Sequence, residues 1–194
     1  MLIASIQIFV PNCDDMNLPH QYRNATMDDL PELRRLMNAS IRKYIGAILD
    51  SSQVEASFEI MGVDTSLIED MTYFVIERSH VIVGCGGWSR RATLYGGDHT
   101  RGRDARLLDP LTEPARVRAM YIHPEFGRQG IGSFLLTLCE AAARKEGFSN
   151  LELMSTVSGE ALYLNRGYRI VERVQVSTSK GIEIPLIRMA KQIG

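Results

Sequence analysis

The chain is short of cysteine, of clustered histidine, of net charge and of long apolar runs, and each shortage removes a class of protein. Its three cysteines, Cys13, Cys85 and Cys139, lie far apart and form no Cys-x-x-Cys pair. A zinc ribbon and a thioredoxin-like motif are thereby excluded, a disulfide framework is not expected, and a reducing cytoplasm is the default compartment. The four histidines, at 20, 80, 99 and 123, show no ligand spacing, so no metal is expected. With 22 basic against 23 acidic side chains the formal net charge is -1. That balance lacks the electrostatic footprint of a nucleic-acid binder. The first ten residues, MLIASIQIFV, carry neither a basic leader nor a small-residue cleavage site. They are also about half as long as a membrane span. Neither a signal peptide nor a membrane partner is expected. Glycosylation patterns at Asn24 and Asn38 then read as chance, because that chemistry requires secretion.

What is present is ordinary globular material. The 194 residues are 45% hydrophobic and 23% charged. That is enough chain for one packed core without staples, and it is not the composition of a disordered protein. Residues 1–19 read as an arm, and 20–194 as a single domain. A short strand over 21–25 precedes a helix capped by Thr26 or Asp28, with Pro31 in its first turn. Leu30, Leu33, Met37 and Ile41 recur on one helical face. A second helix is expected over about 51–60. Two strand-like runs, 72–77 (TYFVIE) and 80–88 (HVIVGCGGW), flank a tight turn at Arg78 and Ser79. Residues 90–114 break the pattern as a long loop or insertion. Then follow a strand over 115–122, a glycine-rich turn over 127–132, and a helix whose face is Ile131, Phe134, Leu135, Leu138 and Ala142, stopped by Gly147. A strand over 151–155, a short helix over 159–166, and strands over 168–177 and 182–190 complete the chain. The order implies a mixed α/β domain around a central sheet.

The informative stretch is His123-Pro-Glu-Phe-Gly-Arg-Gln-Gly-Ile-Gly-Ser133. It joins a strand to the N-terminus of an amphipathic helix. Glycines let the backbone bend and let a ligand approach closely. The first helical amides have no internal partner, and the helix dipole adds positive potential there. Such a turn suits a phosphate or pyrophosphate. Two common nucleotide patterns fail. Ser133 stands where the Walker pattern needs Lys, and Leu135 stands where the dinucleotide pattern needs its third Gly. A turn that binds nothing is the alternative at this stage.

Pro124 followed by Arg128-Gln-Gly-Ile-Gly132, opening a helix, resembles the acetyl-coenzyme A turn of the GNAT superfamily of N-acetyltransferases, whose pattern is Arg/Gln-x-x-Gly-x-Gly/Ala. Gly130 and Gly132 match its glycines. Gly127 occupies the leading Arg/Gln position and departs from the pattern, with Arg128 one residue away. Tyr163-Leu-Asn-Arg-Gly167-Tyr168 resembles the family's Tyr-x-x-x-Gly-Phe/Tyr element, one helix and one strand further on. The element order from Gln21 to Ala190 is also similar.

The resemblance implies a GNAT-like acyl-CoA N-acyltransferase fold: a central, mostly antiparallel sheet with splayed strands, flanked by helices. It implies acetyl-CoA as co-substrate and a primary amine as acceptor, attacked directly in a ternary complex. Cofactor contacts are then expected from Met120, Tyr121 and Ile122 on the splayed strand. Others are expected from Gly127, Arg128, Gln129, Gly130, Ile131, Gly132 and Ser133 in the turn, and from Thr156 and Tyr163. A backbone N–H near Met120 would stabilise the oxyanion. Tyr163 would protonate the departing thiolate as a general acid.

The general base stays open between Glu113, Glu152 and a water relay, with Glu113 taken first. From Arg90 to Arg118 there are seven Arg, set against Asp98, Asp104, Asp109 and Glu113. The insertion is read as a lid, a positive rim or a self-paired loop. Trp88, Tyr95 and Tyr44 are rim or core aromatics, and His123 is structural. A small-molecule acceptor is favoured over a protein. A homodimer is a further expectation. The competing reading is an acyl-CoA-binding module without useful turnover.

Overall fold

A computed structural model of the chain describes residues 20–194. The expected arm over 1–19 and its strand lie outside the described residues. Seven strands form one sheet: β1 (Gln21–Asn24), β2 (Tyr73–Arg78), β3 (Val81–Ser89), β4 (Ala115–Ile122), β5 (Asn150–Thr156), β6 (Arg169–Ser177) and β7 (Glu183–Gln192). The spatial order is β1-β2-β3-β4-β5-β7-β6. Every neighbouring pair is antiparallel except β4 and β5. Five α-helices accompany it: α1 (Leu30–Ser40), α2 (Ser51–Ile60), α3 (Thr65–Glu69), α4 (Ile131–Lys145) and α5 (Glu160–Asn165). The expected mixed sheet flanked by helices is what the chain builds.

Each sheet face has its own core. On one, Ile131, Phe134, Leu135, Leu136 and Cys139 of α4 pack against Trp88, Val117, Leu151 and Met189. On the other, Leu33, Leu36, Met37 and Ile41 meet Leu67, Tyr73, Val75 and Cys85. The expected helix faces are therefore right in register but slightly rotated. Leu36, Leu136 and Cys139 are buried, whereas Leu30, Leu138 and Ala142 sit half-buried at the edges.

Local chemistry sets the element ends. Asp29 accepts from the Thr26 N–H at 2.7 Å and closes a capping box before α1, with Pro31 in the first turn. Asp50 accepts from the Gln53 N–H at 2.9 Å at the start of α2. The β2–β3 turn falls one residue later than expected. Ser79 and His80, with φ of 48° and 64°, take the left-handed positions that two-residue hairpins require. Two features lie outside the expectation. α1 runs on into a π-helical turn, Ile41–Ile45. α3 is only five residues long, capped by Asp64 through the Ser66 N–H at 3.2 Å.

The sheet opens in its middle. β4 pairs with β5 only from Ala115 to Val117. Beyond Val117, β4 stays on β3 while β5 stays on β7 out to Thr156. A bulge in the β3–β4 register adds to the divergence, and Ala119 within it has φ of 50°. The Tyr73 hydroxyl donates to the Ala119 carbonyl at 2.8 Å and braces the bend.

At Gly87 the backbone before and within β2 comes close to β3. A Cβ there would lie 2.5 Å from the Thr72 carbonyl oxygen and 3.1 Å from Tyr73 Cα. Both are backbone atoms and cannot swing aside. Gly87→Ala is expected to lower stability by about 1–3 kcal/mol, read as a fall in urea midpoint at unchanged m. Among the described residues, no helix is long and apolar enough to cross a membrane, and no group of His, Cys, Asp or Glu is arranged to hold a metal ion.

Candidate active site

The opening between β4 and β5 is the mouth of a cavity of about 500 Å³. Residues 117–122 of β4 form one wall. Met154 and Thr156 of β5, with Gly159, Ala161, Leu162, Tyr163 and Asn165, form the other. The glycine turn closes one end through Gly127, Arg128, Gly130, Ile131, Gly132 and Ser133. Ile60, Met61, Gly62, Leu94, Tyr95, Gly96 and Leu186 complete the lining away from the turn, and Tyr44 stands beside Gly127. Three distant segments thus meet the two strands. The π turn after α1 aims Ile41, Tyr44 and Ile45 at the cavity, a use to which such bulges are often put.

The turn has the form an anion site needs. Residues Pro124–Phe126 make a single 3-10 turn, capped by His123, whose Nδ1 accepts the Glu125 N–H at 3.3 Å. His123 is structural, as its position in the sequence suggests. Arg128 and Gly130 adopt φ of 63° and 81°, which turns the chain into α4. Gly130 caps that helix without a side-chain hydrogen bond, leaving the first amides to whatever enters the cavity. Two glycines sit against side chains. A Cβ on Gly127 would stand 2.4 Å from the Tyr44 hydroxyl, and one on Gly132 would stand 3.0 Å from Leu162 Cδ2. Gln129 belongs to the turn but faces away from the cavity. Its amide oxygen accepts from Arg78, and its nitrogen donates to the Glu125 carbonyl at 3.4 Å.

Tyr163 reaches the cavity from α5. Its ring stands edge-on to Tyr168, with centroids 5.7 Å apart. Burial pushes its phenol well above the ordinary range, and its hydroxyl has no hydrogen-bond partner among the described residues. Tyr121 is half-buried, and desolvation likewise pushes its phenol up, although the Gly62 backbone N–H bonds to its oxygen. Thr156 lines the wall while its hydroxyl accepts the Gly159 N–H at 3.3 Å. Ser155 lies beneath, donating to the Thr156 carbonyl at 2.7 Å.

Met120, Tyr121, Ile122, Gly127, Arg128, Gly130, Ile131, Gly132, Ser133, Thr156 and Tyr163 are therefore brought together, and Gln129 adjoins them through its backbone. Glu113 is not brought there. It sits outside the cavity lining, and both its oxygens accept from Arg106 at 2.8 Å. With a further bond from the Asp109 N–H, this pairing holds its carboxyl down at about 2. A carboxylate so satisfied is a poor base. Glu152 is also engaged elsewhere, buried between Arg116 and Arg188. Trp88 is core, edge-on to Phe148, whereas Tyr44 and Tyr95 do line the cavity.

The insertion doubles back on itself. The Ala92 N–H donates to the Arg106 carbonyl, and the Thr93 N–H to the Asp104 carbonyl, both at 2.9 Å. Its tip is tied down: His99 Nε2 lies 2.8 Å from the Phe58 carbonyl, and the Asp98 N–H donates to the Val63 carbonyl at 3.0 Å. Four of its arginines are ion-paired, Arg90 to Glu146, Arg91 to Asp70, Arg103 to Asp64, and Arg106 to Glu113. It forms a fixed wall of the cavity rather than a free flap.

Sequence reasoning passed over Arg118. This side chain lines the cavity yet is only 3% exposed. Its Nη2 donates to Asp64 Oδ2 at 2.9 Å and to the Gly96 carbonyl, and its Nη1 donates to the Thr93 carbonyl at 2.8 Å. Burial, opposed by Asp64, draws the guanidinium below its usual range. The available signal was a charged residue two positions before Met120, in an alternating strand whose later residues were read as cofactor contacts.

The family model described as "Acetyltransferase (GNAT) domain" matches residues 69–170. Among solved structures, a GCN5-related N-acetyltransferase from Rhodopseudomonas palustris superposes with a TM-score of 0.65 at 18% identity, over 89% of this chain and 95% of that one. The PaiA N-acetyltransferase from Thermoplasma acidophilum, in complex with coenzyme A, gives 0.59 at 14% identity over 89% and 98%. A ribosomal-protein-alanine N-acetyltransferase from Brucella melitensis gives 0.59 at 18% identity over 89% and 99%. No curated protein sequence matches.

Proposed function

This chain belongs to the GNAT acetyltransferase family, and from that premise we propose that it transfers the acetyl group of acetyl-CoA to the primary amine of a small molecule, by direct attack in a ternary complex. The observation that carries the reading is the cavity itself. One continuous space runs from a turn fit for a pyrophosphate, along a strand freed of its neighbour, to an unpartnered tyrosine hydroxyl.

Acetyl-CoA supplies the activated acyl group. The amides of residues 128–133 hold its pyrophosphate, with Gly127 and Gly132 keeping side chains out of the way and Arg128 adding charge. Gln129 contributes only its backbone. The freed edge of Met120, Tyr121 and Ile122 pairs with the pantetheine arm, and an N–H there faces the carbonyl oxygen as negative charge develops. Ile131 and Thr156 complete the lining. As the amine nitrogen bonds to the carbonyl carbon and the carbon–sulfur bond breaks, Tyr163 gives its proton to sulfur, and the proton lost by the acylated nitrogen passes through solvent and restores the phenol. The far end, walled by residues 94–96, belongs to a space of about 500 Å³, which supports a small acceptor over a folded protein.

Among the described residues, none that lines the cavity is a carboxylate, an imidazole or a lysine. The acceptor therefore has to lose its proton to solvent, helped by the repulsion of Arg118 and Arg128. kcat/KM is expected to rise about tenfold per pH unit below the acceptor's own amine pKa and then level. Two acceptors of different basicity should shift that break by the difference between them. A break that stays fixed for both would identify an enzyme base.

The function is tested by melting the protein with acetyl-CoA, coenzyme A or ATP, and then following thiol release over a panel of amines. A ligand that binds only the native state raises Tm. A rise with both coenzyme A forms and none with ATP, together with amine-dependent thiol release, is the expected result. A rise without release would favour a binding module, and no rise would remove the assignment of the turn.

A further inference from the structure

We infer that the acceptor is an amino acid with an apolar side chain, and that Arg118 meets its carboxylate. The inference rests on the acetyl-transfer reading and names the substrate class for that site.

The charge inventory of the cavity comes first. Among the described residues that line it, Arg118 and Arg128 alone are charged, and both are cations. Arg128 belongs to the glycine turn, the end assigned to the pyrophosphate. Arg118 belongs to the other end, where its bonds to the Thr93 and Gly96 carbonyls hold the wall that presents Leu94 and Tyr95. A diamine, an aminoglycoside or a lysine-rich peptide would place a second cation in this space with no acid to meet it. Taking an unpaired charge out of water is costly, so such acceptors are disfavoured.

Arg118 is also not fully compensated. Its counter-ion, Asp64, is 2% exposed and is shared with Arg103, which donates to the other carboxylate oxygen. One buried carboxylate thus serves two guanidiniums. The second acid near Arg103 is Asp98, 3.4 Å away with a side chain 40% exposed. The outer guanidinium has that extra partner and the inner one, at the cavity, does not. A guanidinium has five N–H donors. The Thr93, Gly96 and Asp64 acceptors engage three, all on Nη1 and Nη2. The Nε–H is outside this set. An anion in the cavity would add the charge that the Arg103–Asp64–Arg118 group lacks on its inner side.

The remaining surface around Arg118 is apolar. Ile60, Met61, Leu94, Met154 and Leu186 face the same space, with the Tyr95 ring among them. An acceptor that fits has one amine, one anionic group and an apolar body. An α-amino acid of the leucine, methionine or phenylalanine type has all three.

The experiment uses the full chain and acetyl-CoA, with thiol release as the readout. Leucine, methionine and phenylalanine are each offered as the free acid, the amide and the decarboxylated amine. kcat/KM is referred to the neutral fraction of each amine, which removes their differences in basicity. The free acids are expected to exceed both partners by about tenfold or more, the scale of a charge-assisted hydrogen bond. Amides or plain amines that react as well as the acids overturn the inference, as does thiol release with none of the nine while coenzyme A still raises Tm. A protein whose Tm does not respond to coenzyme A marks instead the failure of the acetyl-transfer reading beneath it. In Arg118→Gln the preference for the acid should collapse towards unity, measured only if the variant melts cooperatively. If it does not, the wild-type series decides alone.

Discussion

Tyr163→Phe is expected to lower kcat about a hundredfold, within the range for losing a positioned proton donor, while the rise in Tm given by coenzyme A stays as it was. The two halves of this expectation have separate origins. The hydroxyl has no protein partner among the described residues, so its removal orphans no buried donor or acceptor. The ring keeps its edge contact with Tyr168 at 5.7 Å and its place above Gly159, where a Cβ would lie 3.1 Å from the ring carbon Cε2. Packing, and with it the cavity wall, is therefore retained. What disappears is the proton that has to reach sulfur as the carbon–sulfur bond breaks. Burial raises the phenol's pKa, so the proton stays on oxygen through pH 10, where an exposed tyrosine would lose it. The rate should then show no descending limb from Tyr163 as pH rises through that range. An unaltered kcat in the Phe variant would take Tyr163 out of the mechanism and leave solvent as the acid.

Tyr163 was legible because the motif that contains it is short and local. The glycine turn was legible for the same reason. Its glycines, the strand before it and the amphipathic helix after it all lie within one stretch, and each step follows from periodicity or backbone freedom. The strands flanking the opening were legible individually, as the alternating run over 115–122 and the short run over 151–155. Their splay was expected from the family resemblance and from no local pattern, because β5 parts from β4 while staying on β7, a pairing made by residues far along the chain.

The unread parts share that non-local character. Ile41, Tyr44 and Ile45 repeat at the spacing of an α-helix, so nothing in their pattern separates a π turn from a continued α1. α3 is shorter than two turns and leaves no periodic trace. Glu113 looked useful because it precedes a functional strand, but its chemistry is set by Arg106, and charge pairing inside an irregular loop follows no period. Arg116 and Arg118 look alike in the sequence and differ in fate. At Arg116, β5 is still adjacent and provides Glu152. At Arg118, β5 has departed, and the guanidinium turns to Asp64 and the insertion.

The same arrangement makes Asp64→Ala the costliest of the substitutions considered, with an expected loss of about 3–5 kcal/mol, the scale for removing one partner of a buried ion pair. Asp64 is 2% exposed and performs three tasks. It accepts from Arg118 at 2.9 Å, it accepts from Arg103, and it caps α3 through the Ser66 N–H at 3.2 Å. Arg103 retains Asp98 and contact with water when Asp64 is gone, so its share is small. Arg118 does not, being 3% exposed and left with two carbonyls and no anion. Most of the loss is therefore Arg118's uncompensated charge, and this can be isolated. Asp64→Ala combined with Arg118→Leu should be less destabilised than the sum of the two single changes by more than about 1 kcal/mol, since residues in one ion pair couple. Asp64→Asn keeps the cap and a hydrogen-bond acceptor but not the charge, and should fall between. Urea midpoints at constant m measure all four proteins. A loss below about 1 kcal/mol for Asp64→Ala would mean that water in the cavity already solvates the guanidinium. Arg118 would then be in reach of whatever enters that end of the site even in the ligand-free protein.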